Sequence, residues 1–239
     1  MLTDANNHLY QRVQQELERQ EEFNANVSHE LRTPIAVMHA QCQVSREVAE
    51  KKQDKEAIKS IEVFERQTNR MKNLVDQLLQ MTAIDRKGTT FSIEDIDVRD
   101  VIESACDDIA YIDTKHITFE YSLQPTIIQA NMNLIYIVIN NLLSNAVKYS
   151  NEGAKIYVSC GEKDGKSYIR IQDEGCGIEK ENISKIFESF YREKKDRNAE
   201  GFGLGLSQAM KIAELYGGGI YVESTKNKGS IFTFFIPKP

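Results

Sequence analysis

Ala57, Ile61, Phe64, Thr68, Met71, Val75, Leu78 and Thr82 follow one another at alternating steps of four and three residues. A helix turns once in about 3.6 residues, so this rhythm lines the positions up along one seam. No glycine interrupts residues 1–86, and Pro34 is the only proline there. The first third must therefore be long helix. Its leading part is a weaker repeat, with Leu2, Leu9, Val13, Phe23 and Val27 separated by polar gaps at Glu16 and Gln20. The stretch Glu47–Lys55 is highly charged and has no hydrophobic residue after Ala49, so the turn between two helices is expected there. A lone antiparallel hairpin would leave apolar surface in water. Pairing with a second copy into a four-helix bundle would cover it.

Within the first helix lies Ser28-His29-Glu30-Leu31-Arg32-Thr33-Pro34. Val27 is on the seam, and two residues turn a helix by about 200°. His29 should therefore face water. An exposed imidazole is largely neutral and nucleophilic near neutral pH, which makes it a candidate phosphoryl acceptor. Pro34 cannot donate to the carbonyl of Glu30 and crowds it, so it either begins a new helix or bends this one beside His29. His8, His39 and His116 have no such setting; His116 is expected to begin a strand.

After Arg86–Thr90, which reads as a linker, the pattern changes. Alternating apolar residues mark strands at Ile117, Phe119 and Tyr121; at Ile156, Val158 and Cys160; at Ile169 and Ile171; at Ile220 and Val222; and at Phe232, Phe234 and Ile236. Burial on one face suits a sheet covered on one side by helices. An α/β sandwich of about 150 residues is expected.

Asn131–Tyr149 should be a helix with an apolar face of Ile135, Ile139, Leu142, Leu143 and Ala146. Asn141, Asn145 and Lys148 form a separate polar stripe. Asparagine is a poor helix former, so two of them one turn apart need a reason beyond solvation. Amide oxygens suit Mg²⁺ and an ammonium suits phosphate. Asp173-Glu174-Gly175-Cys176-Gly177 follows a strand; its first carboxylate can accept from an adenine amino group, and its glycines allow close approach. Gly201-Phe202-Gly203-Leu204-Gly205-Leu206 opens onto a helix, an arrangement that cradles phosphate. Between the two loops, Phe187, Phe190 and Tyr191 read as an aromatic anchor. A charged loop follows, with Arg192 or Lys195 placed to reach phosphate.

The net charge of −6 argues against a nucleic-acid binder. No apolar run approaches the roughly 18–20 residues that cross a bilayer, and the polar first twenty residues argue against a signal peptide. Cys42, Cys106, Cys160 and Cys176 form no close pair and read as reduced thiols, with Cys176 a small space-filler.

Five boxes now stand in order: 28–34, Asn141–Asn145, Asp173–Gly177, Phe187–Arg192 and Gly201–Leu206. By them the chain resembles the cytoplasmic catalytic core of bacterial two-component sensor histidine kinases, over about nine tenths of its length, from Phe23 to Pro237. The resemblance implies an α+β architecture: a helical hairpin forming a dimeric four-helix bundle, then an α/β sandwich ATP-binding domain of the gyrase and Hsp90 type. The domains would be 1–22, a signalling helix; 23–86, dimerisation and phosphotransfer; 87–90, a linker; and 91–239, ATP binding.

The resemblance also assigns roles. His29 would be phosphorylated, with Glu30 as acid/base partner and Thr33 placing a water for dephosphorylation. Asn141 and Asn145 would hold Mg²⁺, Lys148 would contact phosphate, Tyr149 would pack on adenine, and Asp173 would read its amino group. Gly175, Gly177, Ile178, Phe190, Arg192, Gly201, Gly203, Leu204, Gly205 and Leu206 would complete the ATP site. The implied partners are a second copy and a response regulator receiver domain. The implied setting is cytoplasmic, with the full-length protein held to the membrane through segments outside this chain. Asn131 stands where an aspartate is usual, and either residue caps a helix well; Ile137 stands where a glutamine is common. Two rivals are an ATP hydrolase of the gyrase and Hsp90 kind and an inactive dimeric scaffold. Asn141 lacks the titrating carboxylate that a water-activating base needs. Retention of His29, Asn145, Asp173 and the glycines argues against a scaffold.

Overall fold

The computed structural model describes residues 31, 33–85, 91–193 and 202–238. The chain divides into two compact units, Met1–Thr89 and Thr90–Pro239. His29, Glu30, the Arg86–Thr90 linker and Gly201 lie outside the described residues.

In the first unit, helix α1 (33–52) and helix α2 (Lys55–Asp85) form a hairpin. The turn is at Gln53 and Asp54, inside the charged stretch. Gln53 adopts a left-handed φ of 56°, and Asp54 Oδ1 accepts from the Ala57 N–H at 3.0 Å, capping α2. The α2 seam splits into two series. Thr68 and Val75 are buried, with Ile61 and Thr82 half-buried. On α1, Ile35 and Ala49 are buried and Cys42 is half-buried, again at seven-residue steps. The other series is covered only at its ends: Ala57 and Leu78 are half-buried, but Phe64 is 65% exposed and Met71 45%. Across the hairpin, Arg46 pairs with Glu65 at 2.8 Å and, along its own helix, with Glu50 at 3.0 Å. Thr33 is exposed on α1.

The second unit is a mixed five-stranded sheet with helices on one face. Its strands are β2 (Thr118–Leu123), β4 (Lys155–Lys163), β5 (Lys166–Asp173), β6 (Gly219–Thr225) and β7 (Gly229–Pro237), in the order β2-β4-β5-β7-β6. β2 runs parallel to β4 and every other pair is antiparallel. Strands β1 (Glu94–Asp97) and β3 (Ile127–Ala130) make a separate antiparallel pair. Helices α3 (Val98–Ile112), α4 (Met132–Tyr149) and α5 (Gly205–Leu215) complete the unit. Register explains the core: Cys160, Ile169, Phe234 and Ile220 align across four strands, as do Val158, Ile171, Phe232 and Val222. The alternation expected for β4, β5 and β7 is observed, with every second residue buried.

Some details differ from the sequence reading. His116 does not begin a strand; β2 starts at Thr118, and His116 takes a φ of 55° in the loop before it. Cys176 fills no space, being exposed. No helix among the described residues is long and apolar enough to cross a membrane.

Candidate nucleotide site

Helix α4 organises the site. Asn131 caps it, its side-chain oxygen accepting from the Leu134 N–H at 3.2 Å. Its backbone N–H donates to the Tyr216 hydroxyl at 2.9 Å, which ties the start of α4 to the end of α5. Leu134, Ile135, Val138, Ile139, Leu142, Leu143 and Ala146 are buried. That face fixes the rotation of the helix, so Asn141, Asn145 and Lys148 lie half-buried along one edge.

The far end of α4 is held just as closely. The last carbonyls of a helix lack intrahelical donors. Here the Lys115 ammonium donates to the carbonyls of Val147, Lys148 and Ser150 at 3.0, 2.8 and 2.8 Å. The Tyr149 carbonyl accepts from the Cys176 N–H at 3.2 Å. That bond joins α4 to the Asp173–Gly177 loop. It needs a bare backbone at Gly175, where an added Cβ would lie 2.4 Å from the Tyr149 oxygen. The Lys148 ammonium sits 5.0 Å from the centre of the Tyr149 ring.

Asp173 ends β5 on the buried face of the sheet, in register with Ile156 and Ser230. It is 5% exposed. Its Oδ1 accepts from the backbone N–H groups of Gly175 and Ser230 at 2.8 and 3.2 Å; Oδ2 has no such partner among the described residues. Burial pushes its carboxyl above the ordinary range, and the backbone N–H groups of Gly175, Ser230 and Asp173 itself oppose that rise. Gly177 is buried close to the Thr225 carbonyl, and the Ile178 N–H donates to Ser224 Oγ at 2.8 Å.

Helix α5 begins at Gly205 against α4. A Cβ there would lie 2.8 Å from Asn141 Oδ1. Asn141 Nδ2 donates to Gln208 Oε1 at 3.3 Å. Helices α2, α3 and α4 open on Asp54, Asp97 and Asn131, each accepting a backbone N–H. α5 opens on Leu204 and has no side-chain cap. The Leu204 side chain is buried, so only its backbone faces outward chemistry; Leu206 is half-buried. Phe190 is not an anchor. Its φ of 66° turns the side chain outward, 58% exposed, while its N–H donates to the Gly203 carbonyl at 2.9 Å. Phe187, Tyr191 and Arg192 are half-buried. Glu193 accepts from Asn182 Nδ2 at 2.8 Å and lies 3.7 Å from the Lys226 ammonium.

Along α4 the structure thus brings Gly205 against Asn141, and Gly175 with Asp173 against Tyr149, while Asn145 and Lys148 lie on the same edge of the helix between them. Among the described residues no cluster of three or more histidine, cysteine or acidic groups could hold a metal. A cation here would rely on the Asn141 and Asn145 oxygens with phosphate and water, a donor set that fits Mg²⁺. Lys115 and Gln208 are not legible from local pattern. A lone buried glutamine beside Ala209, Ile212 and Ala213 is the one signal that marks Gln208.

A family model described as His Kinase A (phospho-acceptor) domain matches residues 19–87. A second, described as histidine kinase-, DNA gyrase B- and HSP90-like ATPase, matches residues 130–239. Sensor histidine kinase WalK of Bacillus subtilis is 35% identical over 96% of this chain and 39% of its own length. The chain belongs to the two-component histidine kinases. Sensor protein RprX of Bacteroides fragilis is 32% identical, over 92% of this chain and 44% of its own length. The chain therefore spans about two fifths of the length of these curated relatives. Among solved structures, full-length ShkA in complex with AMPPNP superposes with a TM-score of 0.76 at 22% identity, over 90% of this chain and 45% of that one, a likeness of fold. Histidine kinase AdeS of Acinetobacter baumannii gives 0.63 at 25% identity, over 87% of this chain and 97% of that one. The expected architecture, a helical hairpin followed by an ATPase-type α/β domain, is the one observed.

Proposed function

We propose that this chain takes the γ-phosphoryl group of ATP onto His29 and passes it to an aspartate of a response regulator receiver domain. It also acts as the phosphatase of that regulator. One observation supports the nucleotide part above all: the uncapped start of α5 abuts the Asn141 amide, while the starts of α2, α3 and α4 are closed by the side chains of Asp54, Asp97 and Asn131. Unsatisfied N–H groups at a helix start favour phosphate.

In this reading Asp173 Oδ2 accepts from the adenine amino group, Tyr149 packs on the ring, and Lys148 and Arg192 meet phosphates. Asn141 and Asn145 hold Mg²⁺, which when bound neutralises phosphate charge. A ring nitrogen of His29 forms the new N–P bond as the bond from the γ-phosphorus to the bridging oxygen breaks. ADP leaves with that electron pair, and Glu30 takes the imidazole proton. Thr33 places the water that later releases phosphate from the regulator. Residues 23–86 carry the phosphoacceptor and dimerise through the Phe64 and Met71 series; residues 91–239 bind ATP; 87–90 join them, and 1–22 carry the signal in. The full-length protein would be anchored in the membrane by segments outside this chain, with this part in the cytoplasm.

Incubation with γ-labelled ATP and Mg²⁺ tests the proposal. The expected product is acid-labile, base-stable label on the protein that is absent from His29→Ala and Asn145→Ala. Free phosphate without protein label would instead indicate a hydrolase, and neither product would indicate a scaffold. Thr33→Ala should keep the label but lose regulator dephosphorylation.

A further inference from the structure

We propose that Gln208 is a positioning residue for the divalent cation that accompanies the nucleotide, acting by holding the Asn141 amide in one of its two flips. The inference rests on the nucleotide reading above. Gln208 lies on the first turn of α5 and is 1% exposed. A buried amide among apolar neighbours is unfavourable unless it is hydrogen-bonded. This one accepts from Asn141 Nδ2.

The chemistry of the asparagine amide makes that contact decisive. Its oxygen and nitrogen have nearly the same shape but opposite roles, and only the oxygen binds a cation. With Nδ2 directed at an acceptor, the Asn141 oxygen lies toward the start of α5, beside Gly205. The N–H groups at that helix start favour the same flip, since they attract oxygen and repel an amino group. Without the Gln208 acceptor the amide can turn, and one of the two proposed Mg²⁺ ligands then presents N–H instead of oxygen. Groups that orient a metal ligand from behind are commonly worth about 10–100-fold in metal affinity.

Calorimetric titration of a non-hydrolysable ATP analogue, in EDTA and across a Mg²⁺ series, tests this on the full chain. Gln208→Met fills the same space without an acceptor. It should weaken the apparent Mg²⁺ affinity about 10–100-fold, while analogue affinity in EDTA stays within about twofold, the additivity limit for uncoupled sites. Gln208→Glu presents only oxygens and should restore most of the loss. If Gln208→Met does not melt cooperatively, Gln208→Leu takes its place with the same expected loss. The proposal is overturned by unchanged Mg²⁺ dependence, by equal losses with and without Mg²⁺, or by Gln208→Glu behaving like Gln208→Met. Absence of Mg²⁺-dependent binding in the unsubstituted protein would instead remove the nucleotide reading itself, a result visible before any substitution is made.

Discussion

The hairpin and the sheet unit handle apolar surface in opposite ways. On α2 one seam series is buried while the other leaves Phe64 and Met71 in water. In the sheet unit Ile135, Ile139, Leu142, Leu143, Ile156 and Ile171 are wholly buried within one chain. A single copy therefore completes the second core but only half of the first. Polar groups divide the other way. The hairpin uses surface and half-buried ion pairs around Arg46, whereas the sheet unit buries Asp173 and Gln208 beside the proposed nucleotide site. One unit leaves an apolar face open to solvent, and the other encloses polar side chains within a core that it completes alone.

The sharpest way to break this contrast is Met71→Glu. A charge at a covered seam costs about 3–5 kcal/mol, so sedimentation should show monomer while the sheet unit keeps its melting temperature. An unchanged dimer would mean that the open series is not the contact. Asp173→Asn comes next. It keeps an oxygen for the Gly175 and Ser230 N–H groups but can place an amino group where the adenine donor needs an acceptor. A lost charged hydrogen bond of about 1.5–3 kcal/mol should appear in nucleotide titration as a large affinity loss with an unchanged dimer.

The same variant has a pH signature. Burial raises the folded carboxyl above its unfolded value, so its neutral form favours folding at low pH, and that advantage fades as pH rises through the folded value. The Asp173→Asn protein cannot ionise there. Its melting temperature relative to the parent should be flat in acid and climb toward neutral pH; the opposite trend would contradict the burial argument. Gly205→Ala should then cost about 1–3 kcal/mol by overpacking against Asn141, read as weaker nucleotide binding. Smallest is Lys115→Met, about 1 kcal/mol from the unsupported end of α4, seen in calorimetry as a modest loss confined to the sheet unit.

What is legible in sequence is local. The α2 seam, the Asn131 cap and the stripe of Asn141, Asn145 and Lys148 all depend on helical spacing within a few turns. The β1–β3 pair escapes because each strand has four residues and their pairing joins distant segments; an acidic run such as Glu94–Asp97 has no period to read. Lys115 escapes because its acceptors lie 32–35 residues away. Phe190 misleads because a hydrophobic side chain suggests burial, while its left-handed backbone points it outward. Cys176 misleads for a related reason: its N–H, rather than its side chain, does the joining.

The lone parallel pairing in the sheet carries a final implication. β2 reaches its place beside β4 only through a connection that includes β3 and the whole of α4. Parallel neighbours always need such a crossover. Pairing of β2 with β4 therefore brings both ends of the segment that carries Asn141, Asn145 and Lys148 to the sheet. Slow amide exchange along Thr118–Leu123 would report, without any ligand, that this long crossover has closed.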